Sequence, residues 1–266
     1  MSVANSRLRL LALRLEYDGT AYAGWQRQDG LPSVQGCLEE AIRKITGKAS
    51  ACIAAGRTDA GTHAEGQVVH FRTPSKLPVE TWVPALNAHL PPDIAVAEAW
   101  EPAHKGFHAR YSARGKTYVY TIWNSRGRSA LLGNRSWQVP VPLDLTAMRR
   151  AARRLVGRHD FRAFAQVHGV KDRKSTVRTL KSLTVKAEGP KILITAVGDG
   201  FLTHMVRILA GTLVEVGKGK RTAASVGVAL KSRCRPEAGI TAPARGLCLM
   251  KVDYASAAGR KARPAK

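Results

Sequence analysis

From residue 8 to residue 100 the chain reads as strand, amphipathic helix, two strands, short helix and strand, an order that admits few packings. Residues 8–17 alternate as a strand. SVQGCLEEAIRKIT follows, with Ser33 as N-cap and Gly47 as the stop. Val34, Cys37, Leu38, Ala41, Ile42 and Ile45 recur at helical spacing within it. ACIAAG (51–56) and GQVVHF (66–71) read as strands around the polar loop GRTDAGTHAE. ETWVPALNAHL is a short helix stopped by Pro91 and Pro92, and IAVAEAW is a strand.

A similar order recurs in the second half. KTYVYTIW (116–123) is a strand and LTAMRRAARRLVG an amphipathic helix ending at Gly157. TLKSLTVKAE and KILITAVGDG form a hairpin turned at Gly189-Pro190. FLTHMVRILAGTLVEVG is apolar almost all round and reads as a buried helix, and GLCLMKVDY closes as a strand. The expected architecture is α+β. Two similar halves each carry a mainly antiparallel sheet with packed helices. The first half covers residues 1–105 and the second 106–254, and 255–266 is expected to be a disordered basic tail.

The chain has 266 residues, enough for a substantial core, and its 44% hydrophobic and 23% charged fractions exclude disorder of the whole chain. No apolar run reaches membrane-spanning length, and Arg7, Arg9 and Arg14 break the N-terminal apolar stretches, so a cytoplasmic protein is expected. Cys37, Cys52, Cys234 and Cys248 form no CxxC pair and read as small reduced core residues. GKGK (217–220) lacks the spacing of a P-loop. His104 and His108 are four apart without an HExxH context, so no metal site is expected.

Charge separates the halves. Residues 1–101 hold ten Lys/Arg against eleven Asp/Glu, whereas 102–266 hold thirty-three against eight, a net of +25. No acid occurs between Glu101 and Asp144. The basic tail supplies only four of these charges, so the excess belongs to a folded region and points to a polyanionic partner, nucleic acid first. Arg149, Arg150, Arg153 and Arg154 on the second amphipathic helix, with Lys171, Arg173 and Lys174 in the next loop, are the candidate phosphate surface. A solubilising face would look the same in sequence.

The sharpest segment is GRTDAGTHAEGQVVHF, in which Gly56 and Gly61 bracket Arg57, Thr58 and Asp59 on a tight turn. Such a loop suits a catalytic carboxylate held beside strands, and equally an aspartate capping its own turn. This segment resembles the signature of the tRNA pseudouridine synthase A family. EYDGTAYAGWQRQ with Ser33–Gln35, NAHLPPDIAV, FHARYSARGKTYVY and FLTHMVRILAGTLVEVG resemble that family's other blocks in the same order, from about residue 11 to Tyr254.

The resemblance implies isomerisation of uridine to pseudouridine at positions 38, 39 and 40 of the tRNA anticodon stem-loop, by a homodimer without cofactor or metal. It assigns catalysis to Asp59, stacking on the target base to Tyr118, and the neighbourhood of the flipped nucleotide to Arg57. It sets Arg207 against the catalytic carboxylate and Leu247 in the base pocket, and implies an active-site cleft between the two halves. Without the resemblance, Arg207 reads as an ordinary helix cation, and Tyr118 and Tyr120 share one strand parity that periodicity does not separate. His63 is expected to shape the loop. Thr62, Glu65 and Cys248 depart from the family pattern. The rival expectations are a non-catalytic RNA-binding protein and a synthase acting on another RNA.

Overall fold

The computed structural model describes residues 8–166 and 175–255. Lys171, Arg173, Lys174 and the tail beyond 255 lie outside them. The chain divides into two compact units, one comprising residues up to 114 together with the chain from 251 onward, the other comprising 115–250. The architecture is mixed α+β, with antiparallel strands and packed helices. Among the described residues no helix is long and apolar enough to cross a membrane.

In the first unit the expected element order is present: β1 (Arg9–Tyr17), α1 (Val34–Thr46), β2 (Ile53–Ala54), β3 (His63–Thr73), α2 (Trp82–Asn87) and β4 (Ile94–Trp100). The sheet order is β4-β1-β3, with β1 antiparallel to both neighbours and β2 a short addition to β3. Ser33 Oγ accepts from Gly36 N at the start of α1. Gly47, left-handed at φ 69°, closes its end by donating to Arg43 O at 2.8 Å. Val34, Leu38, Ala41 and Ile42 are buried, while Cys37 and Ile45 sit half-buried on the flank.

Three boundaries differ from expectation for local reasons. The strand expected over 51–56 shrinks to two residues, because α1 side chains take the backbone ahead of it: Glu39 Oε1 accepts from Cys52 N, and Gln35 Nε2 donates to Cys52 O. β3 begins at His63 rather than Gly66, so the polar loop is shorter. The helix expected to run up to Pro91 ends at Asn87, whose side chain bonds both the N–H and the C=O of Val96 in β4.

The second unit contains β5 from Gly115 onward (the strand spans Ala113–Trp123), β6 (Trp137–Gln138), α3 (Leu145–Leu155), β7 (Gly157–Asp160), β8 (Val177–Glu188), β9 (Lys191–Gly198), α4 (Met205–Gly217) and α5 (Ser225–Ser232). The strand order β5-β9-β8-β7 is antiparallel throughout, and β6 adds to β5 in parallel. Asp144 caps α3 by accepting from Ala147 N at 2.9 Å, and Met148, Ala151, Ala152 and Leu155 form its buried stripe. α4 is buried almost all round, as expected, but starts at Met205 because His204 takes a left-handed φ of 60° and leaves 201–204 outside the helix. The last strand, β10 (Leu247–Tyr254), passes from the second unit into the first.

The cysteine expectation needs correction. Cys52 is buried and Cys37 and Cys248 are half-buried, but Cys234 is exposed, in the turn that follows α5.

One buried histidine makes the first unit sensitive to acid. Burial, then the neighbouring His108 and Arg72, lower the pKa of His70 from 6.5 to about 4, and its Nδ1 accepts from Ala109 N at 3.1 Å, a bond that requires the bare nitrogen. The unfolded chain therefore binds more protons than the folded one between about pH 4 and 6.5. Stability is undiminished above that window and falls as pH drops through it, by up to about 3 kcal/mol. Urea titrations across this range should show that slope, and His70→Asn, which keeps an acceptor but cannot protonate, should flatten it.

Candidate active site

The loop between β2 and β3 is built on a floor made by residues 17–25. Tyr17 OH and Thr58 Oγ1 share a buried hydrogen bond of 2.8 Å, and Trp25 N donates to Thr58 O at 3.1 Å. Gly61, left-handed at φ 74°, donates to Tyr22 O at 3.3 Å. Gln67 Nε2, buried in β3, donates to Gly56 O at 2.8 Å. Gly19 N donates to His63 Nδ1 at 3.1 Å, so His63 braces the loop as expected. Asp59 O accepts from Thr62 N at 3.1 Å, which closes the turn.

Two glycines of the floor are demanded by this close approach. A Cβ on Gly19 would lie 2.1 Å from Thr62 O, and one on Gly24 would lie 2.6 Å from Thr58 O. Thr58 is buried between Arg57 and Asp59. Arg57 is exposed and Asp59 partly so. The floor is itself tied down, because Tyr22 OH donates to Asp93 Oδ1 and Asp18 N to Asp93 O. Burial first, then the Asp93 carboxylate, push the Tyr22 phenol well above its ordinary pKa, so it stays a donor.

The other sequence-derived residues belong to the second unit. Tyr118 is 7% exposed, with its ring edge-on to Phe201 at 5.2 Å. Tyr120 is fully buried and its hydroxyl donates to Pro243 O at 2.7 Å. Both tyrosines of this strand parity are thus buried, and the Tyr120 hydroxyl is satisfied within the core. A Cβ on Gly246 would come within 2.6 Å of Tyr120 Cζ, so the turn 244–246 lies directly on that ring and leads into Leu247, which is buried.

Arg207 occupies the first turn of α4. Its Nε donates to Ala242 O at 2.8 Å and its own carbonyl accepts from Ala242 N at 3.1 Å. Residues 239–242 run tight along α4, where a Cβ on Gly211 would lie 2.0 Å from Ile240 O, and Gly239 N donates to Thr212 Oγ1. The guanidinium is therefore oriented by backbone before any substrate arrives. On α3, Arg149 Nε donates to Val185 O of β8. Arg150, Arg153 and Arg154 line a shallow surface groove with Ala223, which precedes α5.

The departures from the family pattern fall on dissimilar positions. Glu65 is exposed on β3 and Cys248 half-buried on β10. Thr62 is buried, and its Oγ1 has no hydrogen-bond partner among the described residues. Among those residues no group of three His, Cys, Asp or Glu side chains could hold a metal ion.

A family model described as tRNA pseudouridine synthase matches residues 15–112 and 151–255. The chain belongs to the tRNA pseudouridine synthase family. The match takes in the whole floor-and-loop assembly, Arg207 and Leu247, while Tyr118, Arg149 and Arg150 fall in the stretch it omits. The tRNA pseudouridine synthase A of Syntrophotalea carbinolica is 49% identical over 248 residues, which are 93% of this chain and 97% of that protein. The enzyme of the same name from Moorella thermoacetica is 47% identical, over 92% of this chain and 99% of its own length. That from Myxococcus xanthus is 48% identical, over 92% and 91%.

Sequence reading finds the loop of this family member but not what holds it. Tyr17, Tyr22, Gln67 and Asp93 all lie in blocks that the sequence singles out, but that they hold the loop or its floor is seen only in the fold.

Two substitutions test this construction in opposite senses. Gly19→Ala should cost about 1–3 kcal/mol, since the colliding atom is backbone. Thr62→Val removes a buried, unpartnered hydroxyl at nearly constant shape and should stabilise by about 1 kcal/mol. Urea unfolding midpoints of the two variants against the wild type decide both.

Proposed function

We propose that this tRNA pseudouridine synthase isomerises uridines at positions 38, 39 and 40 of the anticodon stem-loop, with Asp59 as its catalytic residue. The observation that carries the reading is the braced GRTDAG loop, whose buried Thr58 is held by a floor of residues 17–25 between an exposed Arg57 and a half-buried Asp59. The basic second half supports a polyanionic substrate.

The reaction breaks the N1–C1′ bond, turns the uracil and joins C5 to C1′. C5 loses its proton and N1 gains one, so composition and oxidation state are conserved and the step requires no redox cofactor. Two roles for Asp59 meet this balance. As a nucleophile it holds the sugar or base covalently while the ring turns and is released when C5 joins C1′, and as a base it removes a sugar proton and returns it once that bond has formed. A target base within a stem must first leave the stack, at a cost of a few kcal/mol. In this reading Tyr118 offers the stacking face that offsets part of that cost, about 1–3 kcal/mol. Leu247 lines the base pocket and Arg57 holds the extruded nucleotide. Arg207 favours the ionised carboxylate, its planar head already oriented by Ala242 O.

Arg149, Arg150 and Arg153 on α3 bind phosphates in this reading, together with Lys171 and Arg173. The enzyme works in the cytoplasm as a homodimer.

The test is an unmodified tRNA transcript with uridines in the anticodon arm, incubated with purified protein and chelator, followed by chemical mapping of pseudouridine. Product at 38–40 is expected. Asp59→Ala should lower the single-turnover rate by about 10²–10⁴-fold or more while RNA affinity stays near wild type. Product at other uridines would move the substrate assignment. Tight, salt-sensitive binding with no product would favour a non-catalytic RNA binder. Replacing Arg150, Arg153 and Arg154 with Ala should weaken binding and flatten its salt dependence, by about 0.7–0.9 in log–log slope for each phosphate that is no longer neutralised.

A further inference from the structure

Residues 107–112, FHARYS, form a turn in the first unit that is held far more firmly than an exposed connection needs. Ala109 is pinned from two sides, its N–H donating to His70 Nδ1 at 3.1 Å and its C=O accepting from Tyr254 OH at 2.7 Å. Phe107 is buried edge-on against His70 and packs on Tyr254 at 5.1 Å. His108 N donates to Ser112 Oγ and Ser112 N to His108 O, which closes the turn, and His108 Nδ1 faces the N–H groups of Arg110 and Tyr111 at 3.2 Å.

This scaffold presents an aromatic ring to solvent. Tyr111 is 77% exposed, and among the described Phe, Tyr and Trp side chains it is the only exposed one. Its ring stacks on His108 at 4.3 Å with a 32° tilt, and His108 in turn meets the buried His70 ring at 4.8 Å. The Arg110 guanidinium carbon lies 5.6 Å from the Tyr111 ring centre. The result is a ladder of rings anchored in the core at one end and open at the other, flanked by a cation.

We propose that Tyr111, backed by His108 and flanked by Arg110, is a stacking platform for an unpaired nucleobase of the RNA substrate. A pre-stacked tyrosine loses little freedom on binding, and every base has a π-face that fits it. Arg110 supplies attraction for the adjoining phosphate. The flanking sequence agrees in sign, because no acid occurs between Glu101 and Asp144. Nothing in the arrangement reads base edges, so the platform grips without selecting sequence. Its place in the reaction is substrate holding, separate from the group that breaks the glycosidic bond. Burial, then Arg110, lower the His108 pKa, so the backing ring is neutral at pH 7 and does not repel Arg110.

The inference rests on the reading of the protein as an enzyme of structured RNA, and the experiment separates the two. Affinity for the tRNA transcript, the single-turnover rate at saturating enzyme and the sedimentation coefficient are measured for the wild type, Tyr111→Ala and Tyr111→Phe. Tyr111→Ala should weaken binding by about 5- to 150-fold, corresponding to about 1–3 kcal/mol of stacking, with the saturated rate within about twofold. Tyr111→Phe should restore affinity, since only the ring is needed. Transcripts carrying 5-iodouracil at unpaired anticodon-loop positions should crosslink to the peptide that contains Tyr111 under near-ultraviolet light. Unchanged affinity of Tyr111→Ala overturns the proposal. So does a Tyr111→Ala protein that sediments as a smaller species with undiminished affinity, since the ring would then belong to an interface between copies. A wild type that binds RNA without forming pseudouridine sinks the enzymatic reading alone, and the platform is still judged by affinity.

Discussion

Thr58 is gripped twice, its hydroxyl by Tyr17 and its carbonyl by the Trp25 N–H, and the whole arrangement of the loop follows from that grip. A loop residue that turns inward and finds both its polar groups satisfied cannot easily turn back, because a buried unpaired group costs about 1–3 kcal/mol. The arginine and aspartate on either side of Thr58 are thereby carried on a backbone that is fixed in place. The glycines at 19 and 24 let the floor approach closely enough for those bonds to form.

The same manner of construction recurs in the second unit. α4 is wrapped in apolar neighbours almost all round, and its first turn carries one cation, Arg207, whose Nε is oriented by a backbone carbonyl. Loop 239–242 runs close along the helix because Gly211 and Gly239 have no side chains to hold it off. In both units a residue that the proposed reaction uses stands next to tightly packed backbone. Such preorganisation favours catalysis because the orientation cost is met on folding rather than on substrate binding.

Much of this is legible from residues alone. The Ser33 cap, the Gly47 stop and the stripe of α1 are local features, set by hydrogen bonds within one turn and by a 3.6-residue period. The buried character of α4 follows from its composition, and the order of elements in the first unit from alternation and turn residues. The structure departs from these expectations mostly where a group from another element intervenes. Glu39 and Gln35 shorten β2, and Asn87 ends α2 early by bonding β4. His204 delays the start of α4 by a backbone conformation that no propensity scale favours. Cys234 looks like its three companions in composition and differs from them only in where the chain places it.

A linear reading suffices for the order of the secondary elements, the charge divide between the halves, the loop with Arg57 and Asp59, and the family to which the blocks belong. These depend on neighbours within a few residues or on motif order, both of which are written along the chain. Folding had to settle that the Tyr120 hydroxyl meets the carbonyl of Pro243, which residues brace the loop from beneath, and that Tyr111 stands in solvent on a stack of rings. These depend on groups that lie far apart along the chain and meet only on folding, as the Tyr120 hydroxyl meets a carbonyl 123 residues away.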